Sequence, residues 1–123
     1  MRPFSTVTSL ALPLLEDRID TDILYPARFL LLMDRADLGK YFCHDRRIDS
    51  DGRPIEGNPI DDPRYADARI VLAGEDFGCG SSREQAVWAL AGYGIRCVIA
   101  PSFGEIFAAN CLRNGVLTIA LRR

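Results

Sequence analysis

Between Gly74 and Glu84 the chain reads Gly-Glu-Asp-Phe-Gly-Cys-Gly-Ser-Ser-Arg-Glu. Gly78 and Gly80 let a backbone turn tightly and approach a ligand without Cβ clashes. Ser81 and Ser82 stand where a helix is predicted to open, and the free N–H groups and positive dipole end of such a terminus favour anions. Arg83 adds a planar cation able to grip a carboxylate or phosphate through two hydrogen bonds. These residues describe an anion site with a hydroxyl at its mouth. A plainer role is also open, because Ser81-x-x-Glu84 fits the capping box that satisfies a helix's first N–H groups. That cap asks nothing of Gly78, Gly80, Ser82 or Arg83, and the two roles can coexist.

Other chemistries fit the same stretch less well. It has no lysine in G-x-x-x-x-G-K-[ST] spacing and no third glycine of G-x-G-x-x-G, which disfavours nucleotide phosphates. Ser81 is not in a G-x-S-x-G elbow, and His44 is the only histidine available as a base, which disfavours a serine hydrolase. Cys43, Cys79, Cys97 and Cys111 are widely spaced with no C-x-x-C pair. A metal site built from this chain alone is therefore not expected. His44 reads as a surface loop residue, and Cys97 and Cys111 as small buried hydrophobes.

The elements that must position the glycine-rich stretch follow a clear rhythm in the C-terminal half. Residues 68–73, 95–100 and 116–121 are short apolar runs that read as strands. Residues 81–91 and 102–113 read as helices, the first burying Ala86, Val87, Ala89 and Leu90 and ending at Gly92 and Gly94. Strand, helix, strand, helix, strand implies an α/β fold with a parallel βαβαβ core and right-handed crossovers. In such sheets ligands bind beyond the carboxyl ends of the strands, where the glycine-rich stretch falls. The N-terminal half is less regular. Val7 to Leu12 is a strand candidate interrupted at Pro13, Asp20-Thr21-Asp22 reads as a loop, and Pro26 to Met33 as one or two helical turns. From about Cys43 to Asp67 no period is sustained, and a loop of that length is either functional or mobile.

The chain has 123 residues, 48% hydrophobic and 26% charged, as expected for one globular domain spanning 1–123. Fifteen basic against seventeen acidic residues leave a net charge of −2, with no electrostatic footprint for nucleic acid or an anionic membrane. No apolar run is long enough for a membrane span and no secretory signal is evident, so the expected compartment is cytoplasmic.

Three ordered stretches resemble a known family. They are Asp20-Thr21-Asp22 with Pro26 and Phe29-Leu30, then Phe77 to Glu84, then Ala100-Pro101-Ser102-Phe103 with Ile106-Phe107. Together they are similar to the aconitase-type swivel domain, with the small subunits of bacterial 3-isopropylmalate dehydratases as the nearest branch. The resemblance covers nearly the whole chain and implies a β/β/α swivel architecture around the parallel core. It implies a hydro-lyase subunit that interconverts 2- and 3-isopropylmalate through isopropylmaleate and is active only with a large subunit. That partner would hold a 4Fe–4S cluster, one iron acting as Lewis acid, while this chain binds no cofactor. The ligand would be a small di- or tricarboxylic acid. By the same resemblance, Ser81 is the catalytic base, Arg83 binds a substrate carboxylate, and the backbone N–H of Ser82 faces the substrate. Asp22 helps organise the site, and Arg35 is a candidate contact in a substrate-selecting segment after Phe29.

Three features depart from the family pattern. Gln85 stands where histidine is usual, Thr118 where proline is common, and Leu24-Tyr25 replaces an aliphatic pair. The family normally continues beyond the strand ending at Leu121, so a C-terminal truncation is expected. Two other readings stay open: the same reaction on a methylmalate, citraconate or homoaconitate-type acid, and a non-catalytic anion-binding module.

Overall fold

The computed structural model describes residues 9–29, 35–80 and 84–121. In chain order the elements are β1 (Ala11–Leu14), α1 (Thr21–Leu24), α2 (His44–Arg47), β2 (Ile70–Ala73), α3 (Glu84–Tyr93), β3 (Cys97–Ala100), α4 (Glu105–Arg113) and β4 (Leu117–Ala120). The strands form one sheet in the order β1-β2-β3-β4, every pairing parallel. The C-terminal half is thus the βαβαβ unit expected from its apolar rhythm, and β1 joins it beside β2.

Register shows which face the helices cover. Leu12, Val71 and Val98 align across the first three strands and are wholly buried. The next row is Pro13, Leu72, Ile99 and Ile119, and there Leu72 is 41% and Ile119 39% exposed. Since strand side chains alternate between faces, the helices lie on the first face. Ala86, Val87, Ala89 and Leu90 of α3 are buried as expected, joined by Phe107 and Cys111 of α4.

Pro13 does not end β1. It sits within the strand, which is at the sheet's edge, and an edge strand has one side where a missing N–H breaks no ladder bond. The candidate strand thus lies later than expected, and residues 7 and 8 fall outside the described residues. The Asp20-Thr21-Asp22 stretch is not a loop but the entry to α1. The Ile23 N–H donates to Asp20 Oδ1 at 2.8 Å, and this local cap turns the chain into a helix. After it, Ala27–Phe29 is a single 3-10 turn, while residues 30–34 fall outside the described residues. Helix α3 runs past Gly92 to Tyr93 before Gly94, at φ +117°, stops it.

Gly92 has a packing role as well. A Cβ built on Gly39, in the 3-10 run Arg35–Tyr41, would lie 2.5 Å from the Gly92 carbonyl carbon. The run and the helix therefore meet backbone to backbone.

The stretch expected to be irregular, 43–67, is a series of short turns tied by side chains. Asn58 and Asp62 cap the 3-10 turns Pro59–Asp61 and Pro63–Tyr65. Arg47 donates to both oxygens of Asp61 and to the carbonyls of Lys40 and Phe42, and the Tyr93 hydroxyl donates to the Ile60 carbonyl. His44 is not in a loop. It opens α2, with its ring edge-on to Phe29 at 5.0 Å.

Candidate functional site

Three segments leave the carboxyl ends of β1, β2 and β3 and continue side by side. The middle one is the glycine-rich loop. On one flank the Arg18 N–H donates to the Glu75 carbonyl (2.7 Å), the Gly78 N–H to Ile19 (2.7 Å) and the Thr21 N–H to Cys79 (2.9 Å). On the other flank the Phe77 N–H donates to the Ser102 carbonyl (3.1 Å) and the Gly104 N–H to Phe77 (3.0 Å). The Asp17 and Ser102 side chains add further ties, accepting from the N–H groups of Glu75 and Asp76. Few loop amides are left to water, so the loop is pinned on both sides.

The glycines are demanded by this packing. Gly78 has φ +79°, and a Cβ there would lie 2.2 Å from the Phe107 ring of α4. Phe107 in turn meets Phe77 edge-on at 5.5 Å. Gly80 has φ +94°, and a Cβ there would lie 3.3 Å from Asp20 Cβ, at the start of α1. Two side-chain-bearing residues of these adjoining segments also adopt positive φ, Arg18 at 56° and Asp76 at 55°. The hydrogen bonds to their own amide or the next residue's carbonyl hold this unfavourable geometry.

Of the residues singled out by sequence, Gly78, Gly80 and Asp22 are brought to one end of the sheet. Asp22 lies in the first turn of α1, and its Oδ1 accepts from the Ala27 N–H at 2.8 Å. Ser81, Ser82 and Arg83 lie outside the described residues, between Gly80 and Glu84 in sequence. Arg35 begins the 3-10 run Arg35–Tyr41, but its side chain too lies outside the described residues. Glu84, the glutamate of the possible capping box, has its described partners on and just after α4: Asn114 Nδ2 at 3.1 Å and Arg113 at 3.5 Å. Gln85 sits half-buried on the next step of α3.

Cys79 borders the site, and burial, then the nearby Asp76 and Asp20 carboxylates, raise its thiol's pKa. Burial pushes Cys43 and Cys111 up to about 12. None of these is poised as a thiolate at neutral pH. Among the described residues no group of three or more His, Cys, Asp and Glu side chains is arranged to hold a metal ion. This donor set does not fit an iron–sulfur cluster. No helix among them is long and apolar enough to cross a membrane.

Asp17, Ser102 and Phe107 support the loop, although none was read as a site residue from the sequence. Ser102 and Phe107 stood within the third family-like stretch and in the predicted helix 102–113, while Asp17 carried no signal.

The family model of the aconitase C-terminal domain matches residues 1–123. This chain belongs to that family. The aconitase C-terminal domain of this chain is 47% identical over 121 residues to the 3-isopropylmalate dehydratase small subunit of Jannaschia sp. (strain CCS1). It is 46% identical to the small subunit of Paramagnetospirillum magneticum. Each match covers 98% of this chain and 60% of the relative, so the chain spans well under two thirds of their length. The crystal structure of 3-isopropylmalate dehydratase from Methanocaldococcus jannaschii is similar in fold, with a TM-score of 0.63 and 35% sequence identity. That likeness covers 83% of this chain and 55% of the other.

Proposed function

We propose that this chain is the substrate-binding part of a hydro-lyase that interconverts 2- and 3-isopropylmalate through isopropylmaleate, working with a separate large subunit in the cytoplasm. The observation that carries the reading is the pinned glycine loop at the carboxyl ends of parallel strands, in a chain 47% identical to named small subunits of 3-isopropylmalate dehydratase. A 4Fe–4S cluster on the large subunit would supply Lewis acidity, and the roles given to this chain are those of its own residues.

In this reading Ser81 Oγ takes the proton from the carbon next to a substrate carboxylate, while Arg83 grips that carboxylate. A serine hydroxyl is a poor base in water. A helix N-terminus and a neighbouring guanidinium stabilise the alkoxide it needs. The backbone N–H of Ser82 adds a donor for the substrate, and Gly78 and Gly80 allow the backbone to come close. Asp22 organises the adjoining turn, and Arg35 contacts the part of the substrate that varies between related acids. The whole chain acts as one swivel-type domain.

The test is hydration of isopropylmaleate by this chain mixed anaerobically with a cluster-loaded large subunit, omitting each component in turn. Activity that needs both is the expected result. Ser81→Ala should then lower turnover by about 10²–10⁴, the contribution of a general base. Full activity in Ser81→Ala would remove serine from that role. No activity, where a relative's small subunit is active with the same large subunit, would favour a non-catalytic anion-binding module.

A further inference from the structure

We propose that Arg28, His44 and Asp45 form a positioning network that holds Asp22 in its working orientation through the turn Ala27–Phe29. The proposal rests on the reading of Asp22 as an organiser of the substrate site.

Each residue of that turn is gripped by a different group. The Ala27 N–H donates to Asp22 Oδ1 at 2.8 Å. Arg28 presents both terminal nitrogens to Asp45, with Nη1 2.9 Å from Oδ2. His44 Nδ1 lies 3.1 Å from Asp45 Oδ1 and 3.3 Å from Arg28 Nη2, so the imidazole adjoins the pair, donating to Asp45 in one tautomer or accepting from Arg28 in the other. The Phe29 carbonyl accepts from the Tyr25 hydroxyl at 2.5 Å. Its ring lies 4.5 Å from that of Tyr41, 5.0 Å from His44, and 4.7 Å beneath the Arg28 guanidinium. The Asp22 and Tyr25 contacts are local, whereas His44 and Asp45 belong to α2 and reach Arg28 from 16 and 17 residues further along the chain.

Bonds at Arg28 and Phe29, on either side of the turn's end, restrain the direction in which the Ala27 N–H points toward Asp22. The Asp22 carboxylate also lies within the electrostatic reach of the Arg28 guanidinium. The Arg28–Asp45 pair is about half exposed, and such pairs contribute little to global stability. A charge-and-aromatic cluster this elaborate therefore acts on the position of the turn more than on the stability of the fold.

The experiment is a double-mutant cycle on the assembled enzyme. Arg28→Gln and Asp45→Asn are made alone and in an Asp22→Ala background, which removes the oxygen that accepts from Ala27, with Arg28→Lys as the conservative rescue. Each single change should raise KM about three- to fivefold, the scale of a half-exposed ion pair, with kcat changed less. Those effects should vanish when Asp22 is already Ala, and Arg28→Lys should recover part of the loss. An independent readout uses this chain without its partner. The Ala27 amide proton resonance should move upfield in Arg28→Gln and Asp45→Asn, toward its position in Asp22→Ala. Full additivity with Asp22→Ala, or an unmoved Ala27 resonance in both variants, would overturn the network. Absence of turnover in the wild-type assembly would count against the proposed reaction, while the Ala27 resonance would still decide whether the network holds Asp22.

Discussion

Gly78→Ala should be among the most damaging single-methyl additions in this chain. The left-handed backbone at φ +79° costs an L-residue about 1–2 kcal/mol. The added Cβ would also stand 2.2 Å from the Phe107 ring, far inside van der Waals contact. Forcing a methyl into a packed contact of this kind costs about 1–3 kcal/mol. Together the two effects give about 2–5 kcal/mol. With a urea m-value of about 2 kcal/mol/M, the middle of the usual range, the unfolding midpoint should fall by roughly 1–2.5 M. Gly57→Ala separates the two contributions, because Gly57 has nearly the same φ, +78°, and nothing within 4 Å of its would-be Cβ. The difference between the variants then reports the Phe107 contact alone. Replacing Phe107 by Ala should make the Gly78 substitution cheaper, a coupling expected of residues in direct contact. Equal urea midpoints for Gly78→Ala and Gly57→Ala would refute the packing of Phe107 beneath the loop.

Two further predictions concern the scaffold. Gly39→Ala should lower the melting temperature by about 5–15 °C, since a Cβ there meets the Gly92 backbone and cannot be relieved by rotating a side chain; a melting curve matching wild type would argue against that contact. Glu16, Asp45 and Asp61 are each held below the ordinary carboxylate range by hydrogen bonds from Arg46, Arg28 and Arg47 respectively. A carboxylate with a depressed folded-state pKa stabilises fully above its unfolded pKa, near 4, and loses that contribution as pH falls through the folded value. Stability measured by urea unfolding should therefore decline below about pH 4. Asp61→Asn should flatten that decline by no more than about 1 kcal/mol, because Asp61 is 40% exposed; an unchanged acid limb in the variant would show that the pair contributes nothing.

Much of the fold was readable from short-range pattern. The apolar runs around Val71, Val98 and Leu117 and the apolar content of α3 are properties of local composition, because a buried parallel strand and an amphipathic helix impose their own periods. The glycine-rich loop was visible for the same reason, since Gly78 and Gly80 mark positive φ on their own. Tertiary context overruled the local signal elsewhere. Pro13 reads as a breaker, but its place on the sheet edge makes it harmless. Asp20-Thr21-Asp22 reads as a loop, yet Asp20 caps the short helix α1. His44 reads as a surface loop residue, but it opens the helix α2, partly buried with its ring against Phe29.

The candidate site divides in the same way. Residue types and spacing pointed to the α/β class, and the resemblance of three ordered motifs pointed to the family. Only the three-dimensional arrangement decided that Phe107 lies under Gly78, that Ser102 and Asp17 tie down the loop, and that Asp22 answers to Ala27 and through it to Arg28. The physical reason is one of range. A dihedral preference or an apolar period is written in a few neighbouring residues, whereas a close approach between segments 16 to 60 residues apart exists only once the sheet has brought them together.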